Sequence, residues 1–277
     1  MTEKLSMYRE SDSGVIMYHN INEKSCINVP HLHSQYEIYY NIHGAKGFFC
    51  NKKFYSCSGY DLFVVPKAHI HKVVVDKNTS YERCIINIDS KIIDSINSTA
   101  HISRALDWMD CVGDSLSAKV NLTQEEHSQF INMINAYNAC ADELEQFGIL
   151  IHILSFTGSK FKKHTPVTCS TPNTLPEKVL LIIEENFRDI KIADIARKLY
   201  INDSYLSKIF KDEFGITISN YLIMRKIAEA KKYLYIGVSV KEVCHLAGFN
   251  NYSNFIRTFK KFEGYSPGNM EELSHPL

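Results

Sequence analysis

No C-x-x-C pair occurs in this sequence, although it holds eight cysteines. They stand singly at positions 26, 50, 57, 84, 111, 140, 169 and 244, a scatter that argues against a zinc ribbon and against a disulfide scaffold. Net charge is missing too, since 31 Lys and Arg balance 31 Asp and Glu. No global field therefore draws the chain to nucleic acid or to an anionic membrane, and any electrostatic footprint must be local. Nor is there a long apolar run. The stretch "GILIHILSF" at 148–156 is broken by His152 and falls far short of the roughly 20 residues of a bilayer span. The opening "MTEKLSMYRE" is too polar for a secretory signal, so a cytoplasmic chain with no membrane partner is expected. What remains is 277 residues, 45% hydrophobic and 22% charged, the texture of a globular protein with room for two cores.

Residues 15–89 read as strands. "EIYYNIHG", "KGFFCN", "YDLFVVP", "HKVVVD" and "ERCIINID" are short β-branched or aromatic runs separated by Gly, Pro, Asn or Asp, which suggests a small barrel or sandwich. From about 90 to 160 the apolar spacing turns helical, and Thr123 with Glu126 occupies capping-box positions. A helix at about 141–158 carries Leu144, Phe147, Ile151 and Leu154 at the spacing of an apolar seam. The seam serves either packing against the chain's own barrel or a homodimer. "KKHTPVTCSTPNTLPE" (162–177) has linker composition. The expected division is a first domain over 1–163, a linker at 164–175 and a helical domain over 176–277.

The helical domain contains an internal repeat. "IADIARKLYINDSYLSKIFKDEFGIT" (192–217) aligns with "VKEVCHLAGFNNYSNFIRTFKKFEGYS" (240–266) at an offset of 48, then 49 after one inserted turn residue. Each copy has a short helix, a turn with an Asn at the N-cap (Asn202; Asn250 or Asn251), and a second helix closed by Gly, which is helix-turn-helix architecture at about 192–214 and 240–263. In the first copy Leu206, Ile209, Phe210 and Phe214 are expected to face inward, leaving Ser204, Ser207, Lys208 and Lys211 outward. In the second, Phe255, Phe259 and Phe262 form the expected core stripe, with Ser253, Asn254, Arg257 and Lys260 outward. Short polar groups followed by Lys or Arg suit a helix entering the major groove, where Arg and Lys address guanine and Asn adenine. A single such helix is as well explained by a solvated face; two copies of the same polarity are not. Residues 178–262 hold 15 Lys and Arg against 9 Asp and Glu, a local excess of the sign phosphate contacts require. Between the copies "ISNYLIMRKIAEAKKYLYIG" (218–237) reads as a long helix with Tyr221, Leu222, Ile227, Ala230 and Leu234 inward. A rigid helix there sets the spacing of the two reading helices, about 34 Å for successive turns of duplex.

On "IADIARKLYINDSYLSKIFKDEFGITISNYL", "RKIAEAKKYL" and "VKEVCHLAGFNNYSNFIRTFKKFEGYSP", about a hundred residues, the chain resembles the AraC/XylS family of bacterial transcription regulators. Ala247-Gly248-Phe249 and Ser266-Pro267 carry the most specific part of that resemblance. The resemblance implies sequence-specific binding to promoter or operator duplex DNA. Its base-reading positions fall on Ser204, Ser207 and Lys208 in the first unit and on Ser253, Asn254 and Arg257 in the second. After Pro267 the family continues to an aromatic-Arg pair, whereas this chain reads "GNMEEL", so backbone contacts near that end are not carried over.

The first domain looks like the cupin-like effector barrel of such regulators, which makes the expected fold α+β. His31, His33 and Glu37 are all odd-numbered, and on one extended strand they would share a face. His31-x-His33-x3-Glu37-x6-Gly44 resembles the first cupin motif. "GYDLFVVPKAHIHKVVV" (59–75) resembles the second through Gly59, Pro66 and His71, or His69, but lacks the glycine after the proline and the closing Asn. Two His, a carboxylate and a third His can hold Zn²⁺, Fe²⁺ or Mn²⁺, can wall a metabolite pocket, or can bond to one another inside the barrel. The effector-pocket reading is preferred, with His31, His33, Glu37, Tyr39 and His71 as its residues and neither a metal nor another cofactor assigned. Tyr36, Tyr40, Phe48 and Phe49 are nearby aromatics; Tyr39 is singled out because its parity matches Glu37.

The expected function is therefore a transcription regulator, activator or repressor, that answers a small-molecule effector, on family habit a carbohydrate. It has no catalytic residues, forms a homodimer through helix 141–158, and contacts RNA polymerase if it activates. Two alternatives stand beside it: a cupin-type metalloenzyme with a helical appendage, and a DNA binder whose barrel only dimerises.

Overall fold

The computed structural model describes residues 5–10, 14–22, 30–33, 35–50, 53–75, 79–99, 102, 104–112, 116–163 and 174–269. It divides into two compact units, residues 1–27 with 33–170 and residues 28–32 with 171–277.

The first unit is built on strands β1 (Leu5–Glu10), β2 (Val15–Asn22), β3 (Tyr36–His43), β4 (Ala45–Cys50), β5 (Lys53–Ser56), β6 (Asp61–Val65), β7 (His71–Val75), β8 (Tyr81–Ile88) and β9 (Lys119–Asn121). They form a larger sheet in the order β1-β2-β8-β3-β6-β9 and a smaller one in the order β5-β4-β7, every described strand pair being antiparallel. Strand β3 is buried from Tyr36 to Ile42, because it has strands on either side and a packed layer on each face. That is why it carries apolar or aromatic residues on both faces instead of alternating, with Glu37 and Asn41 as its buried polar positions. Its even positions turn toward the helical layer, where Tyr40 Oη pairs with His127 Nδ1 at 2.8 Å and Tyr36 Oη donates to Asp110 at 2.7 Å. Its odd positions turn toward the smaller sheet, where the ring of Tyr39 stacks on Phe48 of β4 at 4.7 Å.

The larger sheet extends beyond the expected 15–89 at both ends, through β1 before it and β9 after it. β9 is three residues long and has no periodicity to read. A buried polar knot holds it: Lys119 Nζ lies 2.8 Å from Asp61, whose carboxylate also accepts from the Ser58 and Gly59 backbone N–H groups and from Asn121 Nδ2. Helices α1 (Ser90–Asn97), α2 (Gln124–Ala139) and α3 (Glu143–Lys163) complete the unit. The capping box of α2 forms as its sequence implies, Thr123 Oγ1 accepting from Glu126 N and Glu126 accepting from Thr123 N.

Of the expected linker, residues 164–173 lie outside the described residues. Thr174 and Leu175 belong instead to helix α4 (Leu175–Asn186): Thr174 caps it in a second capping box with Glu177, and Pro176 sits in the first turn, where a missing N–H costs nothing.

The second unit continues with α5 (Ile192–Lys198), α6 (Asp203–Phe214), α7 (Ile218–Tyr235), α8 (Val240–Leu246) and α9 (Tyr252–Glu263). Helices α5 and α6, and again α8 and α9, form the two repeated pairs on either side of α7. The repeat extends to the caps. Asn202 accepts from Tyr205 N at 2.7 Å and Asn251 accepts from Asn254 N at 2.8 Å, while Gly215 and Gly264 close α6 and α9 in the left-handed conformation. Leu206, Phe210 and Phe214 are buried beneath α6, and Phe255 and Phe259 beneath α9, the latter packed with Val243, Cys244 and Phe249.

Three expected core positions differ. Phe262 is 40% exposed: the end of the α9 core is closed by Tyr265, edge-on to Phe259. Ile209 and Leu222 are only half-buried. On α7 the interior instead includes two charged residues, Arg225 and Lys231, which are buried because each has a partner.

Candidate functional site

Inside the first unit the structure brings together side chains from different sheets. Strand β3 starts only at Tyr36, so the shared parity of His31, His33 and Glu37 is not what gathers them. His33 stands before the strand, and its Nε2 lies 3.1 Å from Glu37 Oε2. His71 opens β7 in the other sheet, and its Nε2 lies 3.5 Å from Glu37 Oε1. Ligand atoms of these three residues fall within 4.8 Å of one another. His31 is half-buried and belongs to the stretch 28–32, so the site of the first unit is formed by the other three. His69, the alternative to His71, is only half-buried and bonds through Nδ1 to Lys67 O.

Glu37 and His71 are buried. Burial alone would raise the Glu37 carboxyl, but the adjacent His71 and His33 outweigh it and hold the group well below the usual carboxylate range. Burial works to lower His71, and the Glu37 carboxylate overrides it and raises it. The two imidazoles meet edge to face with centroids 5.0 Å apart.

Beyond this polar end lies an aromatic wall. Tyr39 stacks on Phe48, and Phe48 on Phe63 at 4.3 Å and on His71 at 6.1 Å. Tyr39 Oη pairs with Tyr81 Oη, and Arg83 lies over the Tyr81 ring at 4.6 Å. Both phenols are pushed well up, first by burial. Parity placed Tyr39 on the face of β3 that Glu37 shares. It could not supply Phe63 or Tyr81, which reach the wall through the pairing of β3 with β6 and through β8, and a single sequence carries no record of that pairing. Tyr36 and Tyr40 face the opposite layer, and Phe49 packs on Phe54.

In the second unit all eight residues expected to face DNA are exposed: Ser204, Ser207, Lys208 and Lys211 on α6, and Ser253, Asn254, Arg257 and Lys260 on α9. Arg257 Nη2 donates to Asn254 Oδ1 at 3.2 Å, so the two side chains present their donors together. A set of charged groups between α4, α7 and the α8–α9 turn forms an internal frame. Glu184 of α4 accepts from Arg225 Nε at 2.8 Å and from Tyr221 Oη; Arg225 and Arg188 share Glu229; Arg188 Nε donates to Leu246 O at 2.8 Å. Lys226 Nζ donates to the carbonyls of Arg188 and Gly248 at 2.8 and 2.6 Å. This frame ties α4 and α7 to the turn of the second helix pair. No described helix is long and apolar enough to cross a membrane.

Comparison with known proteins adds the lineage. A family model described as an AraC-like ligand binding domain matches residues 25–154, and one described as a helix-turn-helix domain matches residues 195–272. The uncharacterized HTH-type transcriptional regulator YtdP of Bacillus subtilis is 37% identical over 105 residues, which are 37% of this chain but only 14% of that protein. The uncharacterized HTH-type transcriptional regulator YfiF of the same organism is 25% identical over 256 residues, 88% of this chain and 78% of that one. Among solved structures, the C-terminal domain of the two-component response regulator yesN from Fusobacterium nucleatum is 31% identical; the match covers 35% of this chain and 96% of that one, with a TM-score of 0.34.

Proposed function

We infer that this chain, which belongs to the AraC-type family of transcription regulators, binds specific duplex DNA through α6 and α9 and adjusts that binding to a small effector held in its first unit. One observation carries the reading. Two helices of the same repeat bury their apolar stripes and leave the same pattern of short polar groups followed by Lys or Arg exposed. Such a pattern serves base-edge contacts at the helix start and phosphate contacts a turn later.

The effector is assigned to the inner face of the first unit, at His33, Glu37, His71 and Tyr39, with His31 as a further candidate. For the effector to regulate, it must bind one arrangement of the protein more tightly than another. A second copy of the chain is assigned to the exposed apolar stripe of α3. Leu144 is 80% and Phe147 46% exposed, and Ile151 is half-buried, whereas Leu154, the fourth residue of the expected seam, is buried in its own unit. RNA polymerase is a partner if the protein activates, the cytoplasm is its place of action, and no residue is given a catalytic role.

Operator binding tests the reading. With the promoter of the gene itself or of a neighbouring operon as probe, Lys208→Ala and Arg257→Ala should each weaken binding by about 1–3 kcal/mol and relax preference at a few base pairs. Lys211→Ala and Lys260→Ala should weaken it evenly across sequences and lower the salt slope by about 1 each. Unchanged affinity in both Lys208→Ala and Arg257→Ala would remove α6 and α9 from the groove.

A further inference from the structure

We propose that Tyr200, in the turn between α5 and α6, binds the sugar-phosphate backbone of duplex DNA beside the groove that α6 enters, a role that rests on the regulator reading above.

Tyr200 has φ +56°, a left-handed conformation that crowds the Cβ of any L-residue and is rare for a bulky one. The two helix pairs make this turn in the same way. Ile201 N donates to Ala196 O at 3.0 Å in the first, and Phe249 N to Cys244 O at 2.9 Å in the second. Tyr200 N and Gly248 N each donate three residues back, to Arg197 O and His245 O. The residue that ends the first helix of a pair is therefore left-handed by the geometry of the turn, and glycine suits it best. The second pair has Gly248 there, φ +81°, where the first has tyrosine.

A side chain persists in such a conformation when something holds it. Three other described non-glycine residues have positive φ, namely Tyr60, Ala68 and Arg104, and each is held. Tyr60 stacks on His127 at 4.2 Å and its carbonyl accepts from Leu122 N; Ala68 is buried with its N–H on His33 O; Arg104 pairs with Asp107. Tyr200 is different. It is 95% exposed, and among the described residues its ring has no aromatic, cationic or hydrogen-bonding partner. A strained and uncovered phenol adds nothing to this fold, so what holds it lies outside the chain.

Its place in the chain points to DNA. Tyr200 stands just before Asn202, the cap of α6, and before Ser204, the first residue expected to face a duplex. Arg197 and Lys198, both exposed, precede it in the last turn of α5, so the local charge suits phosphate. A phenol can donate to a phosphate oxygen, a contact that fixes the protein on the duplex and reads no sequence. The second helix pair has no side chain at Gly248 and lacks this contact.

The test measures unfolding temperature and DNA affinity of the full-length chain together, with the promoter probe and an unrelated duplex of the same length. Tyr200→Gly should raise the unfolding temperature, because the left-handed strain is relieved, and yet weaken binding about 10-fold. Tyr200→Phe should leave the unfolding temperature as it is and weaken binding about 3-fold, only the phenol hydrogen bond being lost. Both losses should be equal on the two duplexes, since a backbone contact reads no sequence. The salt slope should stay that of the wild type, because a neutral phenol releases no counterion. If both Tyr200 variants bind as the wild type does while Lys208→Ala has lost affinity, the contact is overturned and the regulator reading stands. If Lys208→Ala and Arg257→Ala are silent as well, the regulator reading falls and the contact with it. A lower unfolding temperature in Tyr200→Gly would return the tyrosine to the fold. Loss on the promoter probe alone would make it a base reader, and lost transcription at unchanged DNA affinity would assign it to a protein partner; each of these three results overturns the backbone contact.

Discussion

Arg225 of α7 and Glu184 of α4 form a buried ion pair, Nε 2.8 Å from Oε2, with Tyr221 Oη donating to the other carboxylate oxygen and the guanidinium 4.1 Å from the Phe187 ring. Desolvation of Arg225 works against its charged form, and Glu184 and Glu229 more than restore it. A pair in such surroundings adds little stability of its own, but losing one member strands the other.

Arg225→Met or Glu184→Leu alone should therefore destabilise the folded chain by about 3–5 kcal/mol. The double variant should recover most of that loss, because two apolar groups leave no buried charge without a partner. Urea unfolding of the three variants measures both effects. Equal losses in single and double variants would mean that packing, not charge, sets the cost.

Gly248 and Gly264 share a left-handed backbone, φ +81° and +82°, yet they should respond differently to alanine. A Cβ on Gly248 would stand 2.9 Å from Arg188 Cα and 3.1 Å from its carbonyl oxygen, while one on Gly264 would meet nothing within 4 Å. Gly264→Ala should cost only the left-handed penalty of about 1–2 kcal/mol. Gly248→Ala should cost clearly more, since backbone on both sides must shift and the bonds of Lys226 to the Arg188 and Gly248 carbonyls go with it. Thermal unfolding of the two variants compares them, and equal midpoints would contradict the close approach.

Helix α3 separates an outer stripe from an inner one, and substitutions should separate association from folding. Leu144→Asp or Phe147→Asp should shift sedimentation toward a single copy with little change in unfolding. Leu154→Ala should leave the association state alone and destabilise the fold by about 2–5 kcal/mol, as expected for a large side chain removed from a core. If sedimentation is the same for the wild type and both Asp variants, the stripe does not pair copies.

The helix pairs were the most legible part of the chain. Their signal is repeated, local and redundant: an Asn cap, an apolar stripe of period 3.6 and a closing Gly recur within 50 residues, and each constrains the same backbone. Outward positions followed by subtraction. The stripe failed where its end met another element: Phe262 looks apolar by spacing, but Tyr265 already closes that side of the core.

The first unit was legible as strands and much less so as a site. Parity along β3 placed Glu37 and Tyr39 on one face, yet His33 joins them from outside the strand, and His71 comes from the other sheet. Burial of Arg225 and Lys231 was invisible for a related reason, since a charge reads as surface until its partner is known.

What the sequence by itself determined is what neighbouring residues impose on one another: helix periods and caps, strand runs, the duplicated pair and its exposed polar faces. Tertiary structure alone decided which side chains far apart in the chain share a space, because sheet order and register are set by global packing. The meeting of Glu37 with His71 across two sheets, with His33 joining from outside the strand, is such a decision.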